Sequence, residues 1–430
     1  MGFENSPMIL FIIRRFNDID HFAPLIYKFQ KEGGHEVMVL CQNPDYNIHK
    51  DLRLLYLKNR CNADIRYIYD AYKPGLARKV LARAICGSHR ALAEPQQGRA
   101  GAVLNKAEKA YEKYLHNYLY KDLSVQKYFN HDWARGLLKR LNASAVVFDF
   151  AKERQYITGA LFSAAKELGV PTFAIPPGAM MYADRVGKMK DFKDYEFPDY
   201  DHYSMQHDLR LDLTAKMGGP REKMAAMGIP RFCREWKPVL DEIVPRTISR
   251  EKKEPGKLNV LYFDRPITWG MDEDLTVQTI KGAANLPFVN LIIKPHTRAN
   301  RLGYKQLAKH ARVVTDVDSL ELIRWADVAF GTTSSILIDV FLQGKTLLFP
   351  KYFCEYDMLV EEHGACWSVN NPQELFDALK KLAEDPLSRP YTEEHVKALL
   401  ARLVYNGDYE RDVLGDHVRF ITENARTSAL

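Results

Sequence analysis

The sequence predicts an α/β protein with two domains, each built on a parallel sheet. Three observations carry this. Continuous apolar runs of strand length recur along the chain, and amphipathic helical segments separate them. Glycine closes several of those helices just ahead of the next strand. The 430 residues are too many for one compact core, and a charged, proline-containing stretch divides two strand–helix arrays.

The first array opens with Met8–Ile13, apolar throughout, as a strand buried on both faces is. Arg14 to Asp20 reads as a polar loop, and His21–Lys31 carries Phe22, Leu25, Ile26 and Phe29 at helical spacing. Gly33 and Gly34 end that helix, and His35–Cys41 is the second strand, so the chain begins with a βαβ unit. Residues 74–142 read as mostly helical, Ala145–Phe150 as strand, Thr158–Leu168 as helix and Val170–Ile175 as strand. A loop is expected over 182–200 and a last strand around Tyr203. The expected N-terminal domain is thus 1–244 with a basic helical insertion at about 45–140.

Pro245 to Lys257 reads as a linker, followed by a C-terminal domain over 258–405 and a terminal helix within 406–430. Strands are expected at Leu258–Phe263, Val289–Ile293, Val313–Val314, Val328–Phe330 and Thr346–Phe349, with one more over Ala365–Val369. Helices fall at about 274–284, 302–309, 318–325, 334–343, 373–384, 393–403 and 408–425.

Composition narrows the function classes. Hydrophobic content of 46% and charged content of 27% are those of a globular protein. The six cysteines are scattered without a CxxC pair, which suits free thiols in a reducing compartment and argues against a structural zinc site. The N-terminus lacks the basic and apolar regions of a signal peptide, and no apolar run reaches the length of a membrane span. A cytoplasmic location is the expectation. The net charge of +6 is concentrated at 50–140, including Arg53, Lys58, Arg60, Arg66 and Arg78. Two readings stand open: a basic face for an anionic membrane surface, or solvated helix faces. Basic and aromatic residues do not interleave, so nucleic acid is not an expected partner.

In parallel α/β sheets ligands bind beyond the carboxyl ends of the strands. There the C-terminal domain offers Asp264 and Arg265, then Lys294, His296 and Arg298, then the turn Gly331-Thr332-Thr333-Ser334-Ser335, then Pro350-Lys351-Tyr352. Cations and a hydroxyl-rich helix start suit the phosphates of a nucleotide. One hydroxyl would serve as an N-cap, but four consecutive ones exceed that need. Asp339, one turn into the helix, reads either as a ribose ligand or as a solvated helix carboxylate.

The C-terminal half resembles the donor-nucleotide domain of GT-B glycosyltransferases. Lys294-Pro295-His296 together with Ser334-Ser335 is similar to the HP and SS motifs of polysialyltransferases, Kdo transferases and CDP-glycerol glycerophosphotransferases, with Pro and His in reversed order. Ser319–Asp327 matches the helix that leads into the Ser-Ser strand of those enzymes. In the N-terminal half, Asp20–Phe29 with Gly34-His-Glu-Val37 resembles the first βαβ of GT-B acceptor domains. Ala164–Pro171 through Gly178 resembles a segment where relatives carry His-Gly, and here Pro177 replaces the His. The resemblance implies two Rossmann-like domains facing a cleft. It also implies a nucleotide-sugar donor, CMP- or CDP-linked by preference, and a glycan or glycoconjugate acceptor in surface polysaccharide synthesis. No cofactor and no metal are implied, and Asp272-Glu-Asp274 precedes a helix, where acidic residues are stabilised in any case.

The acceptor hydroxyl needs a base, or the developing charge a stabilising group. The candidates lie in the segment after the first strand (Arg14, Arg15, Asn17, Asp18, Asp20 and His21) and at the end of the Val146–Phe150 strand (Asp149, Lys152, Glu153 and Arg154); Asp18 or Asp20 comes first, the alternatives being an N-cap for Asp18, a first-turn helix residue for His21 and a structural carboxylate for Asp149. A sugar-nucleotide 2-epimerase or hydrolase on the same fold is the second function. Its Gly-Thr-Arg-Pro-Glu first loop is missing, since Arg14-Arg-Phe-Asn-Asp18 stands there. A non-catalytic partner of a polysaccharide machine is the third.

Overall fold

The structure is a computed structural model, and it describes residues 7–14, 16–42, 46–71, 129–150, 156–183, 197–244, 253–264, 272–296, 309–315, 317–354 and 356–427. Two compact units emerge. Unit 1 comprises Met1–Gly178, Tyr195–Arg231 and Asp412–Leu430, and unit 2 comprises Ala179–Asp194 and Phe232–Arg411.

Unit 1 holds β1 (Met8–Ile13), α1 (Phe16–Glu32), β2 (Glu36–Cys41), α2 (Leu52–Arg60), β3 (Asp64–Tyr67), α3 (His131–Arg140), β4 (Ala143–Asp149), α4 (Tyr156–Leu168), β5 (Thr172–Ile175), β6 (His202–Met205), α5 (Asp208–Lys216), β7 (Met224–Ala226) and, from the chain's end, α13 (Val413–Glu423). Its seven strands lie in the order β3-β2-β1-β4-β5-β6-β7, with every described pairing parallel. The order runs outward in both directions from β1 and β4, so the topological switch lies between those two strands. β1 is buried from Ile9 to Ile13, and Phe11 packs edge-on against Phe22 and Phe29 of α1 at 5.4 and 6.0 Å. The terminal helix α13 packs on α1. There buried His417 meets buried Ser204 of β6 at 2.7 Å.

Unit 2 holds α6 (Lys237–Ile243), β8 (Leu258–Phe263), α7 (Glu273–Ala284), β9 (Val289–Lys294), β10 (Arg312–Val313), α8 (Ser319–Trp325), β11 (Val328–Phe330), α9 (Ile336–Leu342), β12 (Thr346–Pro350), α10 (Leu359–Glu362), β13 (Trp367–Val369), α11 (Pro372–Glu384) and α12 (Glu393–Val404). Its six strands follow the order β10-β9-β8-β11-β12-β13, again all parallel, with the switch between β8 and β11. One face of this sheet, carrying Val260, Tyr262, Phe330 and Leu348, forms a continuous core with α7 and α11.

Several expected boundaries shift. The polar stretch before His21 is not a loop: α1 begins at Phe16, and acidic Asp18 sits in its first turn, where the helix dipole favours it. Residues expected to begin a helical insertion instead supply α2 and β3, the latter an edge strand. β7 follows the strand around Tyr203 and closes the opposite edge. Of the expected basic helices, residues 72–128 lie outside the described residues, as do 245–252 of the linker and 302–308 of the helix at 302–309.

Candidate functional site

In unit 2, two segments leave strand carboxyl ends at the switch: Asp264 after β8, and the turn Gly331–Ser335 after β11. Gly331 lies close against the end of β8. A Cβ there would stand 3.3 Å from the Phe263 carbonyl oxygen and 3.4 Å from the Phe263 Cβ, a tight fit that would push the turn a few tenths of an ångström away from β8. Thr333 follows in the left-handed region, with φ of 26°. The Ser334 N–H donates to the Thr332 carbonyl across it. A β-branched residue is costly in that conformation. Thr333 is also buried, and its Oγ1 has no hydrogen-bond partner. Strain and an unsatisfied buried hydroxyl thus fall on one residue, a combination that clusters at ligand sites.

Ser335 occupies the cap position of α9 with helical φ of −61° and ψ of −18°, and its side chain makes no cap bond. N-capping therefore does not account for its hydroxyl. Thr332 and Asp339 are buried, which removes the reading of Asp339 as a solvated helix carboxylate.

The other unit 2 candidates fare differently. Lys294 ends β9, and its ammonium donates to the Thr315 and Val317 carbonyls at 3.1 and 2.5 Å, tying down the segment after β10. The Asp264 N–H donates to the Lys294 carbonyl at 3.0 Å, which extends the β8–β9 pairing by one residue. Its carboxylate accepts from the Tyr262 hydroxyl at 3.4 Å. His296 lies two residues past β9 and is half-buried. Arg265 and Arg298 lie outside the described residues. Asp272, of the acidic triplet, is the N-cap of α7 and accepts from the Leu275 N–H at 2.9 Å. No group of three or more potential metal ligands occurs among the described residues. Tyr352, in the Pro350-Lys351-Tyr352 stretch that the sequence places beyond a strand end, follows β12. Its hydroxyl lies 3.3 Å from the Thr279 Oγ1, and burial pushes the phenol up to about 12.

In unit 1, the switch carries an ion pair. The Arg14 Nε, one residue past β1, donates to both Asp149 carboxylate oxygens at 3.2 Å, and Nη2 adds a further bond. The two side chains are 10% and 3% exposed. Burial works against the charged guanidinium, but the hydrogen bonds and charge of Asp149 outweigh it and raise the Arg14 pKa.

The expected catalytic residues line the same edge. Asp18 is buried and accepts from the Arg14 N–H at 2.9 Å. Asp20 is bracketed by two guanidinium groups: Arg53 of α2 bonds one oxygen and Arg231, after β7, bonds the other. Asp51 holds Arg53 in turn, at 2.6 and 3.2 Å. His21 is fully buried, and its Nε2 accepts the Gly178 N–H at 2.7 Å, which places the ring proton on Nδ1. Burial lowers its pKa to about 3; Asp20 opposes the shift, and Arg231, His417 and Arg53 add to it. The Gln206 side chain donates to the Gly178 carbonyl, so the turn after β5 is gripped from both sides. From sequence Arg53 reads only as part of the basic stretch, and Arg231 and Gln206 are not site candidates, because the partners of all three lie far away along the chain.

No protein-family model matches the chain, and no curated protein matches it. Solved structures do. A structure described as a putative UDP-N-acetylglucosamine 2-epimerase from Listeria monocytogenes aligns with a TM-score of 0.54 at 10% identity, covering 99% of this chain and 99% of that one. A co-structure of S. aureus MnaA with UDP aligns at 0.52 and 11% identity, covering 99% and 100%. The UDP-GlcNAc 2-epimerase from Neisseria meningitidis, bound to UDP-GlcNAc, aligns at 0.51 and 12%, covering 97% and 99%. At these identities the likeness is one of fold: two parallel Rossmann-like α/β units, the make-up of GT-B proteins.

Proposed function

We propose that the chain is a metal-independent glycosyltransferase. In this reading unit 2 binds a nucleotide-activated sugar, and the sugar passes to a glycan or glycoconjugate acceptor of a surface polysaccharide. The observation that carries the reading is the Gly331–Ser335 turn at the switch of unit 2. It combines a close approach of Gly331 to the end of β8, a strained Thr333 whose buried hydroxyl is unsatisfied, and a Ser335 hydroxyl not spent on capping. Such a turn supplies neutral donors to a phosphate and needs no metal to do so. His296 and the segments carrying Arg265 and Arg298 would add positive charge beside it. Buried Asp339 and half-buried Asp264 would accept from ribose hydroxyls. The resemblance of Lys294-Pro295-His296 and Ser334-Ser335 to capsule-type enzymes favours a CMP- or CDP-linked donor.

On the acceptor side we assign the base to Asp18, at the switch of unit 1 beside Arg14. Asp20 and His21 then form the supporting wall, since both carboxylate oxygens of Asp20 and the Nε2 lone pair of His21 are already engaged. The work would take place in the cytoplasm. The basic segment within 45–140 would touch the inner face of the membrane.

The second reading, a sugar-nucleotide epimerase or hydrolase, has its own support. The solved structures of the same fold include proteins bound to UDP and to UDP-GlcNAc. Thermal-shift measurements with CMP, CDP, UDP, GDP and ADP test both. Stabilisation by no nucleotide ends both readings. Preference for UDP, with turnover of UDP-GlcNAc in the absence of any acceptor, selects the second. Preference for a cytidine nucleotide, with transfer that requires an acceptor, selects the first.

A further inference from the structure

We propose that the outward face of α2 is a lipid-binding surface, selective for bilayers that carry anionic headgroups. This rests on the membrane contact proposed above and places it on particular side chains. The helix reads Leu-Arg-Leu-Leu-Tyr-Leu-Lys-Asn-Arg over Leu52–Arg60, with three basic residues and no acidic one. At about 3.6 residues per turn Leu54 and Leu57 share one side, and both are buried in unit 1. Leu52, Leu55, Tyr56 and Asn59 fall on the opposite side. Leu52 is 41% exposed, Leu55 and Tyr56 are half-buried, and Asn59 is exposed. Lys58 and Arg60 flank that row on either side, both exposed. A solvated helix is polar across its outer face. This one is largely apolar there, with a cation at each edge, as in a helix that lies in a membrane interface.

The neighbouring helix extends both the apolar row and the cationic rim. Phe16 of α1 is exposed, and the Arg53 guanidinium lies 4.9 Å from its ring centroid, so Phe16 stands at the Leu52 end of α2. Three large hydrophobic side chains are exposed among the described residues, and Phe16 and Leu52 are two of them. Tyr56 meets Tyr27 of α1 at 6.5 Å, and the Lys31 ammonium lies 5.5 Å from the Tyr27 ring, which brings a third cation to the rim. Arg53 does not count toward that charge, because its guanidinium is committed to Asp20 and Asp51. Of the acids in the adjoining segments, Glu32 pairs with Lys28 and Asp64 with Arg66, at 3.2 and 2.6 Å.

A bilayer fits this face better than a protein or a soluble polyanion does. α2 is about 14 Å long and about 10 Å across, so its face offers far less than the roughly 800 Å² that a stable protein interface takes from each partner. Shallow insertion of a few side chains into a headgroup layer needs no such area. A polyanion would use the cations and leave Phe16, Leu52 and Leu55 in water. In a bilayer the apolar row enters the headgroup boundary and Tyr56 keeps its hydroxyl at the wet side. The Lys58 and Arg60 stems then lie along apolar surface while their charged ends reach lipid phosphates.

The test is co-sedimentation of the full chain with vesicles of phosphatidylcholine alone and of an equal mixture with phosphatidylglycerol, at low and high salt. We expect binding to the mixed vesicles only, weakened by salt. Lys58→Gln with Arg60→Gln should weaken it about 20- to 30-fold, near fivefold for each charge. Leu52→Gln should weaken it about five- to tenfold, by a factor that does not change with salt. These side chains are exposed, so the melting temperature should hold, and nucleotide binding by unit 2 should be unchanged. No binding to either vesicle overturns the proposal together with the membrane contact it rests on. Equal binding to both vesicles overturns the charge selectivity and with it the proposal. Binding to the mixed vesicles that survives all three substitutions overturns the proposal alone, by moving the contact elsewhere within 45–140. Dependence on the two cations but not on Leu52, with equal affinity for soluble polyphosphate, overturns it in favour of a polyanion. None of these outcomes touches the nucleotide reading, which the nucleotide panel decides separately.

Discussion

Thr333 gives the sharpest test of the nucleotide turn, because its two defects carry separate energies. Holding a β-branched residue at φ of 26° costs about 1–2 kcal/mol. Burying the Oγ1 without a partner costs about 1 kcal/mol at the low end of such penalties. Thr333→Gly removes both. Against this stand about 0.5–1 kcal/mol of added unfolded-state entropy and about 0.8 kcal/mol for the lost methyl group. The net expectation is a free protein more stable by about 1 kcal/mol, a rise of roughly 2–4 °C in the melting of unit 2. Thr333→Val keeps the branch and the strain but removes the hydroxyl, so it should gain less than glycine does. Both variants should bind nucleotide about 10- to 100-fold more weakly, the range for one hydrogen bond to a charged phosphate. Calorimetric unfolding without ligand and isothermal titration with the best nucleotide of the panel read the two quantities. If Thr333→Gly destabilised the free protein while nucleotide affinity stayed unchanged, the strain would be local packing and the argument from this turn would fail.

The remaining predictions concern the turn's serines and the unit 1 edge. Ser334→Ala with Ser335→Ala should weaken nucleotide binding while leaving the ligand-free melting temperature nearly unchanged, since Ser335 makes no cap bond; a large apo loss would restore a capping role. Asp149→Asn strands the buried Arg14 charge and should cost about 3–5 kcal/mol in denaturant unfolding. Asp20→Asn should cost less, about 1–3 kcal/mol, because it removes the charge that Arg53 and Arg231 share while Asp51 still holds Arg53, and lost turnover with unchanged stability would instead mark Asp20 as the base. The His21 pKa, lowered to about 3, lies below the unfolded value of about 6.5, so in that window only the unfolded chain binds the proton. Its contribution to stability is therefore complete above pH 6.5 and is lost at about 1.4 kcal/mol per pH unit as the pH falls toward 3. His21→Gln, whose amide oxygen can still accept from Gly178, should flatten that slope between pH 6.5 and 4.

Much of the fold was legible because continuous apolar runs mark strands buried on both faces. β1, β8, β11 and β12 all read this way, and β8 and β12 are buried throughout. The two missed strands are both edges. β3 reads Asp-Ile-Arg-Tyr and is half solvated, while β7 reads Met-Ala-Ala and has no β-branched residue. The start of α1 was hidden for a related reason: Asn17, Asp18 and Asp20 are polar, and a helix's first turn tolerates polar residues that a pattern search assigns to a loop.

The site divides along a physical line. The Gly331–Ser335 turn was visible because its chemistry is contiguous in the chain, so spacing alone brings the hydroxyls together. The unit 1 edge was not, because its pairings are distant: Asp20 meets Arg53 across 33 residues and Arg231 across 211, and His21 meets Gly178 across 157. Residue type nominates Asp20 and His21 as a base, but a base needs a lone pair open to the substrate. Each Asp20 oxygen already accepts from a guanidinium group, and the His21 Nε2 lone pair accepts from a backbone N–H. The same contacts tie together the segments leaving β1, β2, β5 and β7, at the edge where Arg14, Asp18 and Asp149 lie. On the proposed reading the base is therefore sought first at the switch between β1 and β4, where Asp18 accepts from the Arg14 N–H, and the Asp20 variant decides between the two carboxylates.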